Sequence, residues 1–232
     1  MSGECPECRG LGFLRAGVPV GHPDFGKFIP CHCKANEYQA RKIARLSKIS
    51  GLLPEEMAIT INDAALRGSD TDKMVTVARQ FVAEPGGFLT LWGGYGNGKT
   101  LVLMAIVNEL REKRGLVGAY VRFVDLINYV RAGMDTKIGG DRERYDYLKT
   151  VDVLAIDEVD KARMTDYAYE FRTAFLDDRY RLATTRRAHT ILAMNTNPAD
   201  SDFPRDIYDR LRDGRFTIFH NADSSMRPVM EW

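Results

Sequence analysis

Two short apolar runs punctuate the chain, Phe88–Trp92 and Val153–Ile156, and Gly118–Phe123 reads as a further strand between them. Each has strand length and is bounded by polar or glycine-rich sequence. Between and around them lie stretches with apolar positions at helical spacing. Asp72–Ala83 carries Met74, Val75, Ala78, Phe81 and Val82 on one face, and Leu101–Leu110, Val124–Arg131, Asp141–Lys149 and Asp166–Leu182 also have helical length. Strands that alternate with helices predict an α/β protein with a parallel sheet, whose strands are apolar on both faces because helices cover both. An earlier stretch, Asn36–Ser50, spaces Tyr38, Ile43, Leu46 and Ile49 as a helix does, and Gly51-Leu52-Leu53-Pro54 ends it. Residues 55–70 show no period, and Pro85-Gly86-Gly87 stops the helix that follows them.

Composition narrows the classes. The 232 residues are 44% apolar and 28% charged, which suits one medium domain with a small appendage and excludes collagen, a coiled-coil rod and wholesale disorder. Lys plus Arg total 33 against 32 Asp plus Glu. That balance argues against a protein coated in nucleic acid along its length, while leaving room for a local basic patch. Residues 1–48 are such a region, with eight Lys/Arg against four acids. No apolar run approaches the roughly 18 residues of a membrane span, and the first residues lack the basic and apolar segments of a secretion signal. The expectation is a cytoplasmic protein with no membrane partner.

All four cysteines fall in the first 33 residues: Cys5, Cys8, Cys31 and Cys33. In a reducing compartment such clustering favours a metal over disulfides. Two close pairs can supply the four soft ligands that Zn²⁺ takes in a tetrahedron. Cys5-Pro6-Glu7-Cys8-Arg9-Gly10-Leu11-Gly12 has the glycines that a knuckle around sulfur requires. The second pair is tighter, Cys31-His32-Cys33, so His22 and His32 stand as spare ligands. A module this small would draw much of its folding energy from the metal.

The densest signal follows the first apolar run. Gly93-Gly94-Tyr95-Gly96-Asn97-Gly98-Lys99-Thr100 is a G-x-x-x-x-G-K-T loop, entered from a strand and leaving into the helix that begins at Leu101. Glycines there let backbone N–H groups curl around phosphate oxygens at a helix N-terminus. Lys99 would reach the β- and γ-phosphates of ATP or ADP, and the Thr100 hydroxyl would ligate Mg²⁺. The loop residues Gly93 through Leu101 are therefore the candidate nucleotide contacts. About 57 residues further on, Val153–Ile156 ends in Asp157-Glu158. Asp157 would complete the Mg²⁺ shell, and Glu158 would polarise the attacking water.

Taken together, a P-loop, a strand ending in Asp-Glu, a strand ending in Asn and a C-terminal Arg cluster resemble the AAA+ ATPases, and more closely the replicative helicase loaders of the DnaC/DnaI type. Phe123-Val124-Asp125-Leu126-Ile127 is similar to the segment after the second strand in that family, Asp209-Arg210-Leu211 to its arginine-finger segment, and the Cys-rich start to the zinc-binding module of the DnaI branch. The resemblance implies a three-layer α/β P-loop NTPase with an AAA+ core and parallel sheet, without a full helical lid, preceded by a small zinc-binding module. The corresponding boundaries are 1–50 for the zinc module and its exit helix, 51–84 for a linker and helical entry segment, and 85–232 for the ATPase core. It further implies that Thr190–Asn197 is a sensor strand whose Asn197 orients the lytic water, Asn195 being the other register. Arg210 is the implied finger, with Arg212 and Arg215 beside it, and Arg227 is the implied contact to the γ-phosphate from within the same subunit. The implied function is ATP-dependent placement of a hexameric replicative DNA helicase on single-stranded DNA, with self-assembly through the finger. The alternatives are an IstB-like transposition ATPase, and a zinc nucleic-acid-binding module whose nucleotide site is degenerate. The helix Asp166–Leu182 also carries Arg172, Arg179 and Arg181, expected to form a charged solvent face or a contact to DNA or another subunit.

Overall fold

In the computed structural model the described residues are 5–22, 25–34, 50–64, 68–135, 140–163, 165–185, 187–200 and 203–226. The expected helix at Asn36–Ser50 lies almost wholly outside them, as does Arg227. The chain divides into two units, Met1–Lys48 and Ile49–Trp232.

The first unit is organised by its cysteine turns. Two three-residue strands, β1 (Phe13–Arg15) and β2 (Phe28–Pro30), pair antiparallel with Phe13 opposite Pro30 and Arg15 opposite Phe28. The pairing brings the two cysteine segments to one end of the ladder. A hydrogen bond from Cys31 N–H to the Gly12 carbonyl, at 2.9 Å, fixes the junction. Such a short hairpin has little stability of its own in water.

The second unit is a five-stranded parallel sheet. Its strands are β3 (Phe88–Gly93), β4 (Gly118–Arg122), β5 (Val153–Asp157), β6 (His189–Met194) and β7 (Thr217–Asn221), in the order β4-β5-β6-β3-β7. Its helices are α1 (Ser69–Ala83), α2 (Lys99–Arg114), α3 (Phe123–Asp135), α4 (Gly140–Thr150), α5 (Asp166–Thr184) and α6 (Arg205–Leu211). Successive side chains of a strand point to opposite faces, and here both faces are apolar. Leu89, Leu91, Val153, Ala155, Ile191 and Ala193 pack with α1 and α2. Phe88, Leu154, Ile156, Leu192 and Met194 pack with α3, α5 and α6. The result is the expected three-layer arrangement. The α5 start is capped by Thr165, whose hydroxyl accepts the Ala168 N–H at 3.2 Å.

Residues 51–64 belong structurally to the second unit. Asn108 on α2 donates to the carbonyls of Glu56 and Ile59, and Glu109 accepts the buried N–H of Ile61. Strand β7 was not foreseen: it is short, sits at the sheet edge and is only partly buried, so its apolar signal is weak. The arginines of α5 correct the expectation of a charged solvent face. Arg172 and Arg179 are fully buried, at 1% and 0% exposure, while Arg181 is exposed. Arg179 donates to Thr190 Oγ1 and to the carbonyls of Lys149, Val151 and His189. It ties the ends of β5 and β6 to α4. The Arg172 guanidinium lies 5.0 Å from the Phe203 ring centroid.

Candidate functional site

The order of strands places the site. Strand β6 lies between β3 and β5, so the loops leaving the C-terminal ends of all three meet above one edge. They enclose a cavity of about 340 Å³ lined by Tyr95 to Leu101, Asp157, Glu158, Lys161, Asn195 and Met226. A second cavity, of about 360 Å³, sits at the opposite ends of β3 and β7, among Phe81, Phe88 and Phe216. Chemistry separates the two, since Lys99, Thr100, Asp157 and Glu158 converge only on the first.

The loop is locked from beneath. Gly93 has φ 142°, and a Cβ there would stand 1.9 Å from the Asn221 carbonyl oxygen, so β3 can pass β7 only with glycine. Asn97, 1% exposed, donates to the Asn221 carbonyl at 3.1 Å. Asn221 returns the bond through its own amide to the Asn97 carbonyl and to Thr71 Oγ1, each at 3.1 Å. Asp223 in turn accepts the N–H and hydroxyl of Thr71. Met226 N–H donates to the Gly96 carbonyl at 3.1 Å, bringing the segment after β7 to the cavity mouth.

Lys99 is 6% exposed, and its ammonium is hydrogen-bonded to the carbonyls of Gly93 and Gly94 and to Asn97 Oδ1, at 2.7, 2.6 and 2.9 Å. Burial lowers its pKa to about 8, against the opposing pull of Asp157 and Asp160. The Thr100 hydroxyl donates to Asp157 Oδ2 at 2.7 Å, and Tyr120 donates to the same oxygen at 2.9 Å. Desolvation, with Asp157 beside it, holds the Tyr120 proton on. A hydroxyl and a carboxylate at hydrogen-bonding distance beside a phosphate loop are the oxygen donors that Mg²⁺ shares with a nucleotide, so these residues fit that ion.

Glu158 has φ 55°, one of two non-glycine residues with positive φ among those described. That conformation costs an ordinary residue about 1–2 kcal/mol and is met at functional turns. Its N–H donates to Asp157 Oδ1 at 2.8 Å, and its carboxylate is hydrogen-bonded to Lys161. Both sensor candidates lie on the loop after β6, but only Asn195 lines the cavity. Asn197 turns its Oδ1 to the Ala199 N–H at 3.0 Å. The Asn195 position is set by Asp160, which accepts the N–H groups of Asn195 and Thr196 and the Thr196 hydroxyl. Asp160 was not singled out from sequence. Its only signal was an acid two residues past Glu158.

The arginine cluster lies on and after α6. Arg210 is paired with Asp177 of α5 and rests 5.4 Å from the Tyr180 ring. Arg215 is paired with Asp213 at 2.6 Å. Arg212 is exposed and, among the described residues, has no carboxylate partner, its guanidinium lying 5.7 Å from the Tyr208 ring.

In the first unit the four Sγ atoms of Cys5, Cys8, Cys31 and Cys33 lie within 4.8 Å of one another. Cys5 to Cys31 is 3.6 Å and Cys8 to Cys33 is 3.5 Å. Four thiolates at about 2.3 Å from a tetrahedral Zn²⁺ would be about 3.8 Å apart, so the cluster fits that ion. Backbone amides of Gly12 and Gly10 turned toward Cys8 contribute to lowering its thiol to about 7. Cys33, hydrogen-bonded to Cys8 and crowded by the other thiols, rises to about 12. Four thiolates at this spacing need a cation among them. His32 hydrogen-bonds Glu7 at 3.1 Å, and His22 is outside the cluster.

No family model and no curated protein matches this sequence. Its fold does match solved structures. A DnaC helicase loader superimposes with a TM-score of 0.57 at 21% identity, over 72% of this chain and 98% of that one. DnaI gives 0.57 at 24%, over 76% and 94%. A replication initiator DnaA bound to AMPPCP and single-stranded DNA gives 0.58 at 20%, over 69% of this chain and 49% of that one. The chain thus spans about half the length of the initiators it matches. At these identities the likeness is one of fold, and the fold is that of an α/β P-loop NTPase.

Proposed function

We propose that this protein is an AAA+ ATPase of DNA replication that binds a hexameric replicative helicase and helps place it on single-stranded DNA. The observation that carries the nucleotide part is the convergence of Lys99, Thr100, Asp157 and Glu158 on one cavity at the ends of three adjacent strands. Gly93 to Leu101 cradle the phosphates of ATP or ADP. Thr100 and Asp157 would hold Mg²⁺, which would supply charge neutralisation to the phosphates. Glu158 polarises the attacking water, and Asn195 orients it. The loader assignment is supported by the likeness to DnaC and DnaI over nearly their whole length, and the single-stranded DNA partner by the DnaA structure.

The cysteine cluster holds Zn²⁺ in a small module at the start of the chain. The arginine finger comes from the cluster at α6. Arg212 is the member free to reach a neighbouring copy's nucleotide, because Arg210 and Arg215 already have carboxylate partners. Arg227 acts within its own subunit.

The test uses the full chain. Lys99→Ala is expected to abolish nucleotide binding, and Glu158→Gln to retain binding while losing turnover. Co-purification with a replicative helicase should depend on ATP in the parent protein and fail in Lys99→Ala. Unchanged turnover in both variants overturns the ATPase reading. Capture of a transposase in place of the helicase favours the transposition alternative.

A further inference from the structure

The nucleotide cavity contains a second ammonium group that the loop motif does not explain. Lys161 lies on the turn after β5, three residues past Glu158, and its Nζ donates to Glu158 Oε1. The same ammonium sits 5.4 Å from the ring centroid of Tyr95, a residue of the phosphate loop itself. Tyr95, Glu158, Lys161 and Lys99 all line one cavity. Lys161 is therefore held between the loop that takes the phosphates and the carboxylate that takes the water. Its nearness opposes the charge on Lys99, while Asp157 and Asp160 favour it. Two ammonium groups facing one small cavity repel each other unless an anion with several charges comes between them, and a polyphosphate is such an anion. Glu158 meanwhile has one carboxylate oxygen committed to this ammonium, so that oxygen is not free to face a water.

We propose that Lys161 is a second phosphate-binding cation and a latch on Glu158: it holds the carboxylate while a nucleoside diphosphate occupies the cavity, and passes its ammonium to the terminal phosphate of a triphosphate. The inference rests on the ATPase reading above and adds to it a means of distinguishing the two nucleotides. Released, Glu158 takes a proton from the attacking water. The water oxygen forms the new bond to the γ-phosphorus, and the bridging oxygen leaves on the diphosphate. No redox change or further reactant is needed. Two sites in one cavity, Glu158 and the γ-phosphate, thus compete for one ammonium.

The experiment measures affinity for ADP and for a non-hydrolysable ATP analogue, both with Mg²⁺, in the full chain and in Lys161→Met, Lys161→Arg, Glu158→Gln and the double variant Glu158→Gln/Lys161→Met. Lys161→Met is expected to weaken the analogue about tenfold and ADP less than twofold, and Lys161→Arg to keep most of the discrimination. Glu158→Gln frees the ammonium and should tighten analogue binding several-fold, an increase absent when Lys161 is also replaced. Analogue and ADP affinities that fall together in Lys161→Met, or a Glu158→Gln effect that survives in the double variant, overturn the latch alone. Absence of nucleotide binding in the parent chain, or binding that Lys99→Ala leaves intact, overturns the ATPase reading and the latch with it.

Discussion

Replacing Asn221 by Ala tests whether the phosphate loop is held in shape from outside itself. Asn221 is fully buried, and its side-chain amide bonds the Asn97 carbonyl and Thr71 Oγ1 while its Oδ1 accepts the Asp223 N–H at 3.0 Å. Truncation removes these three bonds and a long one from the same side-chain amide to Met74 Sδ at 3.7 Å. The Asp223 amide is only part-buried and recovers water. Thr71 keeps its bond to Asp223. The Asn97 carbonyl lies in a buried pair and is left without its side-chain donor. A net buried hydrogen bond is worth about 0.5–1.5 kcal/mol, and an orphaned buried carbonyl costs about 1–3 kcal/mol. The sum is about 2–4 kcal/mol, a large fraction of the stability of an ordinary domain. For a unit of this size each kcal/mol moves Tm by about 2–4 °C, so Tm should fall by roughly 5–15 °C in thermal unfolding followed by circular dichroism. Asn221→Asp should be worse than Ala, because it turns a second acceptor toward the Asn97 carbonyl. Nucleotide affinity, measured calorimetrically below the transition, should drop about tenfold in either variant. A Tm loss below about 2 °C with undiminished affinity would refute the idea that Asn221 shapes the loop.

Three further outcomes are expected. Arg179→Met should lower stability by about 3–5 kcal/mol in urea unfolding, because four acceptors, two of them in buried hydrogen bonds, lose a charged donor at once. Arg179→Lys should recover only part of that, since an ammonium cannot reach acceptors spread around a planar fork. The Lys99 pKa is about 8 in the folded chain against 10.5 for an ordinary lysine, so between those values the unfolded chain binds a proton that the folded one has released. The burial penalty on Lys99 is therefore full below about pH 8, and nucleotide-free stability gains from this group as pH rises through that window. Phosphate binding needs the ammonium and should weaken over the same window by up to about tenfold per pH unit when nucleotide binding by the parent chain is titrated against pH; a flat profile from about pH 8 to 10 would refute it. Metal analysis should find one Zn²⁺ per chain, and strong chelation or Cys8→Ser should remove it, with loss of protease resistance in residues 1–48.

The parts of the fold legible from sequence were those with a strong local cause. Strands β3, β4 and β5 are buried on both faces, so apolar residues dominate them, and the glycines of the phosphate loop announce themselves by number and spacing. Strand β7 was hidden because an edge strand is covered only in part: Thr217 and His220 are exposed, and the apolar run is broken at both. The hairpin of β1 and β2 was hidden for a related reason. Three residues per strand carry no readable alternation, and the segment is organised by sulfur positions that lie far apart in sequence.

Side-chain partnerships were the least legible, and the arginines show why. Arg172, Arg179 and Arg181 occupy one helix at spacings that a solvent face would also have. Burial of Arg179 depends on carbonyl groups at the ends of β5 and β6 and on α4, none of which is local to α5. The same holds within the cavity at the phosphate loop. Asp157 and Glu158 were readable as a pair because their strand precedes them directly. Asp160 and Lys161 follow by only a few residues, yet their roles depend on what the topology sets opposite them. Asp160 meets the loop after β6 only because β6 is inserted between β3 and β5. Lys161 meets Tyr95 only because the turn after β5 folds back over the phosphate loop. An acid and a base shortly after a motif look like ordinary surface charge until the strand order puts the loop after β6 on one and the phosphate loop on the other. The different placements of Asn195 and Asn197 arise in the same way. Both asparagines follow β6, and it is the grip of Asp160 on the Asn195 and Thr196 amides that leaves Asn195 at the cavity wall and sends Asn197 on to cap its own turn.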